Sequence, residues 1–178
     1  MKRSRRIALV MMGTSALALA ACEERKTEAA LFETVEQCVA EQGLVADQCY
    51  REFDAARAQH AQVAPKYTSQ TDCEEDFGQG ACETSSYRTT TGNSVFMPLM
   101  AGFMMGQMMG GRAHTQPLYR SRDDAKTFRT ADNRPVGRTV GRTLVPERSV
   151  AKPSSKLYTQ QRGGFGARAR AAGYRVGA

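Results

Sequence analysis

Val95-Phe96-Met97-Pro98-Leu99-Met100-Ala101-Gly102-Phe103-Met104-Met105-Gly106-Gln107-Met108-Met109-Gly110-Gly111 carries no charge over 17 residues. How this stretch is read decides the fold class. As a helix it would be about 25 Å long, with Pro98 in the first turn after an Asn93 or Ser94 cap. Gly102, Gly106 and Gly110 would then form a smooth stripe, and stripes of that kind let helices approach closely in a membrane. We therefore expect a Gly/Met-rich apolar helix or hairpin. It would contact a membrane, a protein partner or a second copy through Phe96, Leu99, Gly102, Phe103, Gly106 and Gly110. A flexible loop is a further reading. Another is a copper site, because the thioethers of Met97, Met100, Met104, Met105, Met108 and Met109 are soft ligands that suit Cu(I). Methionine is equally an adaptable apolar filler, so the leading expectation is no metal and no cofactor.

The N-terminus sets the compartment. Lys2, Arg3, Arg5 and Arg6 precede an apolar run from Ile7 to Leu19, which ends in Leu19-Ala20-Ala21-Cys22. That is the pattern of a lipoprotein signal peptide over 1–21, to be set aside in reasoning about the fold. The run is short for a membrane span. Lipidation is expected on Cys22, with several acyl chains giving firm attachment where one would be marginal. Glu23 follows, not the aspartate that signals inner-membrane retention. The expected location is the inner leaflet of the outer membrane, with the chain facing the periplasm.

In an oxidising compartment the other four cysteines, Cys38, Cys49, Cys73 and Cys82, imply two disulfides. Their spacings are not those of zinc knuckles. Two of them lie in a short duplication. Phe32-Glu33-Thr34-Val35-Glu36-Gln37-Cys38 and Tyr67-Thr68-Ser69-Gln70-Thr71-Asp72-Cys73 match in pattern, and each ends in a glycine, Gly43 or Gly78. Thr34 and Ser69 are N-cap candidates, and Gln37 completes a capping box. Each copy predicts a helix of about two turns, too short to persist alone. A disulfide closing the following loop would stabilise it, which favours Cys38–Cys49 and Cys73–Cys82. The two other pairings stay open. A longer helix is expected from Asp47 to Val63, ended by Pro65. The reading is thus a tether at 22–29, a disulfide-stapled helical domain at 30–83 and a polar linker at 84–94.

Downstream, residues 112–178 are rich in Arg, Gly, Thr and Ser without sustained periodicity. They are expected to be largely disordered, with an edge strand as an option for Val136–Pro146. Charge divides sharply. Residues 22–111 hold 6 Lys+Arg against 14 Asp+Glu, and 112–178 hold 15 against 4. That split suggests either separate partners or contact between the halves. In the periplasm the basic tail would meet lipid phosphates, peptidoglycan carboxylates or the acidic half; nucleic acid is not expected. The fold class expected is mostly α.

No enzyme chemistry stands out. His60 and His114 lie in different regions, and Glu74, Glu75 and Asp76 read as a solvated helix face. HExxH, a nucleophile elbow, a phosphate loop and CxxC do not occur.

Ordered landmarks remain. They are the LAAC end of the signal peptide; Ala64-Pro65-Lys66-Tyr67 leading to Asp72-Cys73 and Phe77-Gly78; Phe96-Met97-Pro98-Leu99-Met100-Ala101-Gly102; and Arg162-Gly163-Gly164-Phe165-Gly166. On these the chain resembles the YgiB family of uncharacterised proteobacterial lipoproteins. The resemblance implies an envelope lipoprotein without an established activity. It also implies a neighbourhood link to an ATP-grasp ligase resembling glutathionylspermidine synthase, and hence an accessory role in such a pathway as an alternative. The leading expectation is a non-catalytic tethering or interaction protein.

Overall fold

The computed structural model describes residues 24–107, 113–155 and 159–172. Cys22, Met108, Met109 and Gly110 lie outside them. In chain order the elements are β1 (Lys26–Phe32), α1 (Val35–Ala40), α2 (Ala46–Val63), α3 (Gln70–Phe77), β2 (Cys82–Arg88), β3 (Ser94–Pro98) and β4 (Gly102–Gln107). There follow β5 (Ala113–Ser121), β6 (Asp124–Arg129), β7 (Pro135–Gly137), β8 (Gly141–Pro146), a 3-10 turn at Glu147–Ser149 and α4 (Ala167–Ala171).

The apolar stretch is two strands rather than a helix, and this overturns the expectation of a mostly α protein. A six-stranded antiparallel sheet runs β7-β6-β5-β4-β1-β8, while β3 pairs with β2 in a separate two-stranded sheet. The register sets Ala29 against Gly106 and Leu31 against Met104 on one side of β1, and Ala29 against Thr143 on the other. The sheet curls until its ends approach each other. A Cβ on Gly137 of β7 would lie 3.2 Å from Leu31 Cδ2 and 3.9 Å from Thr143 Cγ2 of β8.

Side chains alternate across a strand, and here both faces of β4 are covered. Met104 packs inside the curled sheet with Ala29, Leu31, Leu118, Phe128, Val136, Val145 and Val150. Phe103 and Met105 point outward, beside Phe32 of β1 and against Val35, Cys38, Cys49 and Ala56 of the helical layer. A strand buried on both faces reads as a continuous apolar run, which a helix also produces. The glycines were equally ambiguous, since residues four apart share a face in either structure. They stand where backbone or side chain comes close. A Cβ on Gly102 would lie 2.4 Å from Phe32 O, and one on Gly106 would lie 2.9 Å from Val150 Cγ1.

The tail is corrected as well. Its described parts supply β5 to β8 and α4 in place of disorder. β5, β6 and β7 follow β4 in chain order, while β8 crosses back to β1, and their Arg-, Thr- and Ser-rich composition carries little sign of either. Contact between the charged halves is part of the reason they fold. Arg120–Glu33, Arg142–Glu41, Arg148–Glu24 and Arg162–Glu75 each join a basic residue of the tail to a carboxylate of the first half. Residues 84–94, read as a linker, hold most of β2, and Thr89–Asn93 make the turn into β3.

The helices follow their local signals. Thr34 accepts from the Gln37 amide at 3.3 Å and Ser69 from the Asp72 amide at 3.1 Å. Gln37 reaches back to the Glu33 amide at 2.8 Å. The disulfides are Cys38–Cys49 and Cys73–Cys82, the pairs favoured by spacing. Cys38 and Cys49 are fully buried beneath β4, and Met105 Sδ lies 3.8 Å from Cys38 Sγ.

The placement of β4 makes a sharp contrast measurable. Phe103→Ala should destabilise the protein by about 3–5 kcal/mol, whereas Leu99→Ala, at an exposed position, should shift it by less than about 0.5 kcal/mol. Urea unfolding of the two variants checks both values, and equal small shifts would contradict the two-faced burial.

Candidate functional site

Three landmarks far apart in sequence meet at one place. Lys66 is 1% exposed, and its Nζ donates to the carbonyls of Gln62 at 3.1 Å and Ala64 at 3.3 Å. Those carbonyls close α2, where a cation is favoured by the unpaired carbonyls and the helix dipole. Its neighbour Tyr67 bonds Phe96 of β3 through both backbone groups, at 2.8 and 2.9 Å. The Tyr67 hydroxyl donates to Asp76 Oδ2 at 2.8 Å. Asp76 also accepts from the amides of Gly163 at 2.7 Å and Phe165 at 3.2 Å. Burial raises the Asp76 carboxyl above the ordinary aspartate value, against these stabilising bonds. Asp76 is therefore an internal anchor for the end of the chain, not the solvated acid expected from the sequence.

The segment after Arg162 is pinned at two more points. Asn133, in a left-handed turn at φ 58°, exchanges two bonds with the backbone of Gly166, at 2.9 and 3.1 Å. Asp123 accepts from the Arg168 amide at 2.8 Å. Gly166 leaves room for this approach, because a Cβ there would fall 2.4 Å from Asp123 Oδ1. Between the pins Phe165 enters the core, with its ring centroid 4.8 Å from that of Phe77 and 6.2 Å from that of Tyr119.

Beside this aromatic group, His60 Nδ1 lies 2.9 Å from the Tyr119 hydroxyl and Nε2 lies 3.4 Å from Glu83. Burial dominates and lowers the His60 pKa, with Glu83 opposing. The three groups resemble a proton relay in outline. Among the described residues, His60 bonds Tyr119 and Glu83, and the arrangement ties α2, β2 and β5 together.

The charged feature of the molecule is at the other side of the Asn133 turn. Arg129 is 3% exposed; its Nη1 reaches Asn133 O at 3.4 Å and its Nη2 reaches Asp124 at 3.1 Å. Arg129 Nε is buried without a hydrogen-bond partner. Arg170 donates to the same Asn133 carbonyl at 3.1 Å. Arg134 donates to the carbonyl of Arg148, which pairs in turn with Glu24. Burial, and then the guanidinia of Arg129, Arg148 and Arg134, push Arg170 below the ordinary arginine value, with Glu24 pulling the other way. Four arginines thus gather around two carboxylates, Asp124 on Arg129 and Glu24 on Arg148.

Of the residues expected to meet a membrane or partner, Gly102, Phe103 and Gly106 are buried, Phe96 is partly buried and Leu99 is exposed. Of the thioethers, Met104 and Met105 point to opposite faces of β4 and cannot hold one ion together. Among the described residues no group of three His, Cys, Asp or Glu is placed to hold a metal. Asn133, Asp123 and the arginine cluster escaped the sequence reading. Only the recurrence of arginine after residue 112 pointed toward the last.

Sheet, staples and pinned end define a small, mostly β, disulfide-bonded protein with a basic end. A family described as a protein of unknown function, DUF1190, matches residues 26–174. The chain is 34% identical to a UPF0441 protein of Erwinia tasmaniensis over 92% of this chain and 81% of that one. To a UPF0441 protein of Yersinia pestis it is 34% identical over 92% and 82%, and to one of Klebsiella pneumoniae 32% over 86% and 76%. No solved structure matches. The chain belongs to this DUF1190/UPF0441 family of uncharacterised proteins.

His60 gives a pH test. Its folded pKa lies below the ordinary 6.5, so the unfolded chain takes up a proton that the folded one refuses. The corresponding stability is present above that value and falls as pH drops through it. Unfolding free energy should therefore decline between about pH 7 and 5, and His60→Gln should flatten the slope. Denaturant melts across this range check it, and an unchanged slope would refute the assignment.

Proposed function

We propose that this chain is a non-catalytic lipoprotein of the cell envelope, anchored through Cys22 on the inner leaflet of the outer membrane. Its folded part would face the periplasm as a tethered interaction module. The observation that carries this reading is the position of β1. It starts at Lys26, four residues after Cys22, and lies between β4 and β8. Tension on an acylated Cys22 would pass straight into the middle of the sheet. Among the described residues no helix is long and apolar enough to cross a membrane, so in this reading attachment falls to the acyl chains.

Internal bonding of the polar core supports the non-catalytic part. His60, Tyr67, Asp76 and Tyr119 each hold one element to another, and their partners are protein groups. The anionic component expected to meet the basic half would approach at the arginine cluster beside Glu24.

Metabolic labelling with palmitate tests the anchor. The intact chain should take up label and sediment with outer membranes, and Cys22→Ala should lose both properties. Equal labelling of the two, or no labelling of either, would refute the lipoprotein reading.

A further inference from the structure

We infer that Arg134, Arg148 and Arg170 form a docking site for the phosphate of an anionic phospholipid headgroup, with Glu24 as its internal competitor. The inference rests on the anchored reading of Cys22 and assigns a ligand to the basic end. Three observations carry it. First, the guanidinia outnumber the acids beside them: Asp124 pairs with Arg129 and Glu24 with Arg148. Arg170 lies within electrostatic reach of Arg129, Arg134 and Arg148, while Glu24 is the carboxylate that opposes them. Arginine is the side chain suited to phosphate, because its planar fork binds two oxygens and is weakly hydrated.

Second, the cluster is built rather than incidental. Buried Arg129 and exposed Arg170 share the Asn133 carbonyl. Arg134 is held by the Arg148 carbonyl, and Asn133 itself is locked to Gly166. Positive groups are thus held close together at a cost that an anion would relieve.

Third, the cluster is beside the tether. Glu24 pairs with Arg148, and the Glu147 amide donates to Arg25 O at 2.8 Å. Two residues span at most about 7 Å, so a lipid-bearing Cys22 keeps this end within headgroup reach. Arg25 and Lys26 are exposed there as well, and Glu147 is the other carboxylate nearby. A headgroup phosphate would take the place of Glu24 on Arg148 and bridge to Arg134 and Arg170.

The test uses the chain from residue 22 with Cys22→Ser, which contains every described element and carries no acyl chain. Flotation with vesicles of phosphatidylcholine alone, or with one-third phosphatidylglycerol, measures partition. The chain should bind the anionic vesicles. Arg134→Gln/Arg170→Gln should reduce partition by about 25-fold, the scale of two basic residues at a membrane surface. Glu24→Gln, which is not expected to disturb the fold, should raise it about fivefold. Arg51→Gln/Arg88→Gln, exposed on α2 and β2 and outside the cluster, should leave it unchanged. An equal loss from this second pair would mean diffuse attraction and overturn the site, as would an unchanged or weaker Glu24→Gln. Displacement by inorganic phosphate, where chloride of equal ionic strength has no effect, would make free phosphate the ligand and overturn the lipid assignment. Failed palmitate labelling would remove the anchor alone, whereas failed flotation would remove this site alone.

Discussion

Burial of the central strands on both faces is the constraint on which the rest of the structure depends. β1 and β4 lie side by side in the curled sheet. Ala29, Leu31 and Met104 fill its inside, while Phe32, Phe103 and Met105 face the helices. A charge on either face would have to be desolvated at a cost of several kcal/mol. The neutral sequence of β4, Gly102–Gln107, is the result. The outer face needs a cover, and α1 and α2 supply it only when held down. Both are attached by Cys38–Cys49, whose sulfurs lie under β4. A domain this small gains much of its stability from such staples. The apolar strand and the disulfide are therefore two parts of one arrangement.

The basic half closes what the acidic half begins. Its strands complete the sheet on both sides of the β1–β4 pair. Its last described segment is then fastened at Asp76, Asn133 and Asp123. Ion pairs across the halves are mostly exposed and worth little singly, and the pins at Asp76 and Asn133 matter more because they satisfy the buried amides of Phe165 and Gly166. Arginines left over from this pairing gather near Glu24. The charge split along the chain thus serves closure first and leaves a basic surface second.

The helices could be read in the sequence because their signals are local: Thr34 and Ser69 as caps, Gly78 as a stop, Pro65 after α2. So could the cysteine pairs, which close short loops. The strands could not. Val95 to Gly111 satisfies a strand covered on both faces and an apolar helix equally well, and nothing within those residues reveals the second cover. Within residues 113–155, β8 pairs with β1 more than a hundred positions upstream, and the Arg-rich composition of the whole segment resembles that of a disordered tail. Asp76 looked like a solvated acid because its partners, Gly163 and Phe165, are 87 and 89 residues downstream. What the motifs marked was an internal junction, where Lys66, Tyr67, Asp76 and Phe165 meet.

The place of β1 has a consequence for how the molecule is made. A chain delivered from its N-terminus presents β1 first, yet its two neighbours are β4 and, last of all, β8. Until Gly141–Pro146 arrives, one edge of β1 stays open, the kind of surface that pairs with the wrong chain. Contacts this distant also slow folding. The newborn protein therefore has a vulnerable interval at its first strand, and its completion is timed by the arrival of β8.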